Sequence, residues 1–461
     1  MQKGSQYFRT PGALPLFQLL AKRPELLLLI YGLLLAIPTA SLQRLSEHSV
    51  SRLATVESLV VRGTFAIESS TYADTIDRVK IGTHFYSHQP PAHAVLAAIA
   101  YFPMHRLGLR FGESRNAAYF LLTFATNGLS TVLALLLFFR SLAWRDLSWN
   151  VRLLLTAGVA CGTLVLPYST TFNVHGFVAA WLFIGFYFLV TSGIGEYQRT
   201  SLFLSGMAFS LCAAMDHGTV FFYVAFVASA LIRRASRKAI LWFLLPACLT
   251  LLPTAAYYYL VGGSIKPFAA RPELFSYPGS SWTQLDDPAL NLAHEKLTGG
   301  QLNSPEFALR YGFLCLFGPH GFLIFNPLIW IAIWGIVRTI RHRLQFWSEA
   351  VAIASASLTM MLYYFFASTN FGGACYSVRW FVAMLYLWWF FAPAVADLLV
   401  SRKWIVAVLS AVSVLYAVGG VAEPWPNPDL GYAAPLVNIT KVLRRINLLG
   451  SRTPPAGVLG R

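Results

Sequence analysis

Apolar runs long enough to cross a bilayer recur along almost the whole chain, and they limit its fold more than any other feature. A spanning helix needs roughly 20 mostly apolar residues. Stretches near that length lie at 25–42, 116–139, 151–168, 174–192, 201–215, 218–232, 239–260, 321–338, 349–367, 380–398 and 403–420. Only 12% of the 461 residues are charged, about half the share in a soluble globular protein. The pattern predicts an all-α polytopic membrane protein with about 11 transmembrane helices.

The formal charge of +16 does not point to nucleic acid. The bases form short clusters between apolar runs: the N-terminus, Arg140/Arg145/Arg152, Arg233/Arg234/Arg237/Lys238, Arg338/Arg341/Arg343 and Arg402/Lys403. Such clusters mark cytoplasmic loops facing anionic membrane lipids. Keeping them on one side fixes the parity. It makes 91–107 a helix lying in the outer interface and splits 201–232 into two short spans meeting at Asp216-His217-Gly218. The expected order is a cytoplasmic leader (1–24) with an uncleaved anchor, a transmembrane core (25–260) that includes an extracytoplasmic loop (44–115), a second outer loop (261–320), C-terminal spans (321–420) and a loosely held outer tail (421–461). The five cysteines are scattered without metal or redox spacing, so no disulfide framework is implied.

With that parity the polar groups gather on the outer face. The first loop, 44–93, places Glu47, Glu57, Glu68, Asp74 and Asp77 among Arg44, Arg52, Arg62, Arg78 and Lys80. Glycosyl transfer from a lipid phosphate needs a carboxylate to take the acceptor's proton and cations at the leaving phosphate. Asp77 and Glu47, then Glu57, are the candidate catalytic acids. The turn Phe85-Tyr86-Ser87-His88-Gln89-Pro90-Pro91 stiffens the chain and starts a helix, presenting Tyr86 and His88 where a phosphate would sit. Arg379, opening a span after Gly372-Gly373, can hold phosphate bidentately. Arg52 and Lys80 complete the expected donor-phosphate set.

Ionisable groups at membrane depth are costly and point to function. Asn173, His175, Asp216 and His217 are therefore candidate pocket residues. Tyr277, Trp282, His320 and Asn370, from the outer turns, suit sugar stacking and hydroxyl recognition. No cofactor is required by these residues. A divalent metal stays open, with His84, His88 and His93 as the residues able to supply it.

The segments RLATVESLVVRGTFAI and TIDRVKIGTHFYSHQPPAH look like the first extracytoplasmic loop of the GT-C superfamily, which includes protein O-mannosyltransferases and lipid A aminoarabinose transferases. YSTTFNVHG, AAMDHGTVF, SYPGSSW, LFGPHGFLIFNPL and NFGGACYSVRW resemble later landmarks of its bacterial members, in order over residues 30–395. The resemblance implies a GT-C-like core with interfacial helices in the first loop. It also implies an inverting transferase in a bacterial inner or plasma membrane, working on the extracytoplasmic face. The partners would be a polyprenyl-phosphate-linked sugar donor and a glycan, lipid or protein acceptor, with no nucleic acid. Two positions depart from the pattern. Ser49 and Val50 stand nearest the usual acid after the first span, and Gln89 stands where a donor-binding lysine is expected. Rival readings are a non-catalytic relative that binds lipid-linked sugar and a lipid or anion transporter.

Overall fold

The computed structural model describes residues 45–112, 115–193, 198–232, 236–280, 304–368, 371–373, 375–426 and 428–445. The first expected span (25–42) lies outside these residues, as do Trp282 and Asn370.

The first loop folds as a small unit. Helix α1 (Glu47–Arg62) starts where the Ser46 hydroxyl accepts the Ser49 N–H and stops at Gly63, φ 67°, a side-chain cap and a left-handed glycine at the two ends. Strands β1 (Arg78–Ile81) and β2 (His84–Ser87) pair antiparallel, with Arg78 opposite Ser87. That register leaves Asp77 and His88 as the next residues across the ladder. Pro90 and Pro91 then open α2 (Pro91–Arg106), as the sequence predicts. Leu53, Ala54 and Val56 of α1 pack with Ala94, Ala97 and Tyr101 of α2, while Val95, Ile99 and Phe102 stay exposed. An apolar face left open on this helix suits the expected interfacial position.

The bundle follows. Helices α3 (Arg115–Thr123) and α4 (Leu129–Ser141) join through a π-helical turn, Phe124–Gly128, into one long apolar helix. Then come α5 (Trp149–Cys161), α6 (Val174–Thr191), α7 (Gln198–Met215), α8 (Val220–Ile232) and the pair α9 (Arg237–Leu244) and α10 (Ala247–Gly262), bent by 41°. After the second loop come α11 (Pro305–Phe317), α12 (Ile329–Arg341), α13 (Trp347–Ala367), α14 (Leu385–Trp389), α15 (Lys403–Ala422) and α16 (Ala434–Arg445). An aromatic core of Phe183, Phe186, Tyr386 and Phe390 ties α6 to α14.

Among the described residues, four helices are long and apolar enough to cross a membrane, or up to six if each bent pair is one span. The expected spans differ in two places. Segment 380–398 is two short helical pieces bent by 61° rather than one rod, and 321–338 is helical only from Ile329. Its irregular start is buried: Asn326, fully enclosed, accepts the Leu164 N–H and donates to the Phe322 carbonyl. Backbone of this kind is tolerated at membrane depth only inside protein. The tail also differs from the loose segment expected. Helix α16 packs on α15, with Asn438 buried and donating to the Gly419 and Glu423 carbonyls.

The helices put chemistry at one end and charge at the other. The basic turn at 140–152 meets the turn before α13: Gln345 donates to the Trp144 carbonyl, and Arg145 lies over the Phe346 ring at 5.3 Å. Trp144 stacks on Tyr187, near the C-terminal end of α6. The N-terminal end of α6, carrying His175, is one helix length away, about 27 Å for an 18-residue helix.

Candidate active site

A cavity of about 220 Å³ opens at that N-terminal end of α6. It is lined by His48, Arg52, His88 and Gln89 from the first loop, His175 from α6, Asp216 and His217 from the break between α7 and α8, Tyr363 and Tyr364 from α13, and Arg379 with Trp380. Ala269 closes it from the second loop. A larger cavity of about 700 Å³ lies at the basic end, between α6, α9 and the turn Arg343–Glu349. It contains none of the anticipated site residues.

The first-loop wall is a continuous polar network. Arg52 donates to Gln89 Oε1 at 2.6 Å, and the Gln89 amide reaches His88 Nε2 at 2.6 Å and His48 Nδ1. His48 Nδ1 also meets Asp77 Oδ2 at 2.5 Å. The Asp77 main chain is fixed by Ser51, whose hydroxyl donates to its carbonyl and bonds Ser87. Burial alone would raise the Asp77 pKa. The positive surroundings of His48, His88 and Arg379 outweigh it and hold the carboxyl well below the usual range. Burial lowers the pKa of both the His48 and His88 imidazoles, against the pull of Asp77. It draws Arg52 down to about 10, with Arg379 adding to the effect.

Arg379 is the most unusual side chain. It is 6% exposed, its Nε finds no hydrogen-bond partner, and no carboxylate pairs with it among the described residues. Its guanidinium lies 5.9 Å from the centre of the Trp425 ring. Gly372, φ 92°, lets the preceding turn fold directly over it, since a Cβ there would press on Cys375 Sγ and Arg379 Cγ. Breaking or lacking a direct partner for a buried cation costs several kcal/mol, and an anion in the cavity would reduce that cost.

On the membrane-side wall, His175 Nδ1 lies 3.1 Å from Asp216 Oδ2. Asp216 Oδ1 accepts from the Tyr364 hydroxyl at 3.1 Å and the Gly218 N–H at 3.2 Å. The Tyr364 ring stacks on Trp380, centroids 4.5 Å apart and 1° from parallel.

Several anticipated residues lie elsewhere. Asp77 sits behind His48 rather than on the cavity wall. Glu47 is exposed at the start of α1 and accepts from Thr75 and the Ile76 N–H. Glu57 is locked by Ser70 Oγ, the Thr71 N–H and Thr71 Oγ1. Lys80 and Tyr86 belong to the hairpin, and Lys80 lies over Phe85 at 5.9 Å. Asn173 caps α6 by accepting the Gly176 N–H. Tyr277 packs edge-on to Phe85, and His320 stacks on Phe371. The expected trio of histidines does not converge: His84 pairs with Glu68, and His93 is buried against Phe172 and Phe177. His88 instead joins His48 and Asp77, whose ligand atoms all lie within 4.8 Å of one another. The sequence reading passed over His48, Tyr364 and Trp380. His48 carried a usable signal, since it lies four residues before Arg52 on α1 and so shares its face.

This helical bundle shares its fold with solved structures of ArnT. ArnT from Cupriavidus metallidurans matches in the apo state with a TM-score of 0.52 at 15% identity, covering 93% of this chain and 71% of that one. The same protein bound to undecaprenyl phosphate matches with a TM-score of 0.50 at 12% identity, covering 92% and 72%. Archaeal oligosaccharyltransferase AglB from Archaeoglobus fulgidus, in complex with an inhibitory peptide and a dolichol-phosphate, gives 0.46 at 12% identity, covering 89% and 57%. Neither a protein-family model nor a curated protein sequence matches this chain.

Proposed function

We propose that this protein is an integral-membrane glycosyltransferase that moves a sugar from a polyprenyl-phosphate donor to an extracytoplasmic acceptor with inversion. The observation that carries the reading is Arg379, a cation 6% exposed and without a carboxylate partner, aimed into the cavity beside Arg52. Two permanent cations in one small polar cavity suit a phosphate monoester or diester. Undecaprenyl phosphate bound to ArnT, which shares the fold, supports a lipid-borne phosphate. The acceptor, whether glycan, lipid or protein, would enter from the same face.

In this mechanism Arg379 and Arg52 hold the phosphate, and charge develops on it as its bond to the anomeric carbon breaks. Gln89 orients Arg52 by accepting its N–H. Asp77 acts through His48, and one of the two carboxylate-held imidazoles takes the acceptor's proton. A divalent metal would be held by His48, Asp77 and His88, two imidazoles and a carboxylate, a donor set used at catalytic zinc sites. When bound it would supply further positive charge at the phosphate.

One observation favours a second reading, a relative that binds lipid-linked sugar without transferring it: none of the three first-loop acids lines the cavity. Turnover decides between them. Purified protein in lipid nanodiscs, given radiolabelled undecaprenyl-phosphoryl pentoses and hexoses with a membrane extract as acceptor source, is expected to release undecaprenyl phosphate. Binding without release would favour the second reading. The absence of both would remove the polyprenyl-phosphate assignment.

A further inference from the structure

We propose that His175, held by Asp216, is the general base that deprotonates the acceptor hydroxyl. The proposal rests on the transferase reading above and deepens it. It moves the base from the first loop to the membrane-side wall.

Three observations lead there. First, the geometry is that of a carboxylate-oriented imidazole. Nδ1 of His175 is committed to Asp216 Oδ2 at 3.1 Å, so the proton sits on Nδ1 and the Nε2 lone pair is the one available to the cavity that His175 lines. Second, the carboxylate cannot swing away. Its other oxygen is fixed by the Tyr364 hydroxyl and the Gly218 N–H, and Tyr364 is itself clamped by its stack on Trp380. Trp380 is the neighbour of Arg379 in the chain. One unbroken set of contacts therefore runs from the base to the phosphate-binding cation and fixes their spacing.

Third, the alternatives are committed elsewhere. Glu57 accepts three hydrogen bonds from Ser70 and Thr71, and Glu47 braces the approach to β1. Asp77 lies behind His48. The Nδ1 of His48 is shared between Asp77 and the Gln89 amide, which also binds His88 and Arg52, so this imidazole is one link in a closed network. His217 lines the cavity, but its ring faces Tyr258, and among the described residues it donates no hydrogen bond to a carboxylate that would hold its tautomer.

The step balances simply. The acceptor oxygen forms a bond to the anomeric carbon from the face opposite the phosphate, and its proton passes to His175 Nε2. The bond from that carbon to the phosphate oxygen breaks, with its electron pair leaving on the phosphate. Asp216 stabilises the imidazolium formed. His175 returns the proton to water before the next turnover.

The test separates binding from chemistry. Undecaprenyl phosphate titrated into nanodisc-embedded protein measures the first, and release from undecaprenyl-phosphoryl sugar measures the second. His175→Gln is expected to bind undecaprenyl phosphate as the wild type does and to lose about 10²–10⁴-fold in kcat. Tyr364→Phe, which removes one oxygen from around Asp216 and keeps the stack, is expected to lose several-fold in kcat with binding unchanged. Added imidazole is expected to restore part of the turnover of His175→Gly. Wild-type kcat in His175→Gln, or a Tyr364→Phe defect seen only in binding, would overturn the base assignment and leave the transferase reading standing. A wild type that neither binds nor turns over any donor would overturn the transferase reading itself.

Discussion

Arg379 and Glu57 illustrate how differently two buried ionic side chains are settled. Arg379 makes no direct ion pair among the described residues, and its Nε has no hydrogen-bond partner, whereas Glu57 is saturated by three donors from the turn that follows α1. Hydrogen bonds to a charged group are worth about 1.5–3 kcal/mol each. Glu57→Ala should therefore lower the melting temperature clearly, measured by scanning fluorimetry in detergent, while undecaprenyl phosphate binding at the temperature where it is folded stays at the wild-type level. Loss of binding in the folded variant would return Glu57 to the site. At this scale the sequence was half legible. Residue types at membrane depth pointed to His175 and Asp216, because ionisable groups there need a reason, and Arg379 stood out as a permanent cation opening a span after Gly372-Gly373. The sequence ranking of Asp77 and Glu47 ahead of Glu57 did not show that none of the three lines the cavity, since side-chain commitment depends on which turn folds back onto which helix.

Elements were more legible than their interiors. The Ser46 cap, the Gly63 stop, the Gly82 hairpin and the Pro90-Pro91 start are local signals, and the first loop follows them. The break in 380–398 was hidden because Phe, Trp and Leu fill a broken helix as readily as a straight one; it appears where the Phe391 backbone packs hard against Gly335 of α12. The same device joins α7 to α9. A Cβ on Gly206 would overlap the Phe243 carbonyl, and overpacking of this kind costs typically about 1–3 kcal/mol. Gly206→Ala should lower thermal stability by an amount in that range and broaden the size-exclusion peak. An unchanged melting curve would mean the two helices are free to separate.

Over the whole molecule, charge and polarity are segregated. The basic turns meet at one end of the helices, and the cavity with its two arginines and two carboxylate-held histidines occupies the other. The parity of basic clusters makes it an expectation that these two ends face opposite sides of the membrane, because every crossing must return the chain to the correct side. It could not count the crossings, since bent pairs such as α9–α10 leave the number of spans to packing rather than composition. Thr83, exposed in the hairpin turn, replaced by cysteine in a background lacking the exposed Cys248, should react with a membrane-impermeant maleimide in intact cells. Ser236→Cys, before α9, should react only after permeabilisation. The reverse pattern would put the cavity on the cytoplasmic side.

On the proposed reading, the cavity holds a lipid-borne phosphate on Arg379. The most direct test is a titration of purified, nanodisc-embedded protein with undecaprenyl phosphate, comparing the wild type with Arg379→Gln. Removing one partner of a buried charged contact costs about 2–5 kcal/mol, so the account predicts saturable binding by the wild type and at least a tenfold weaker affinity in a variant that still melts cooperatively. Equal affinity in the two proteins would contradict it.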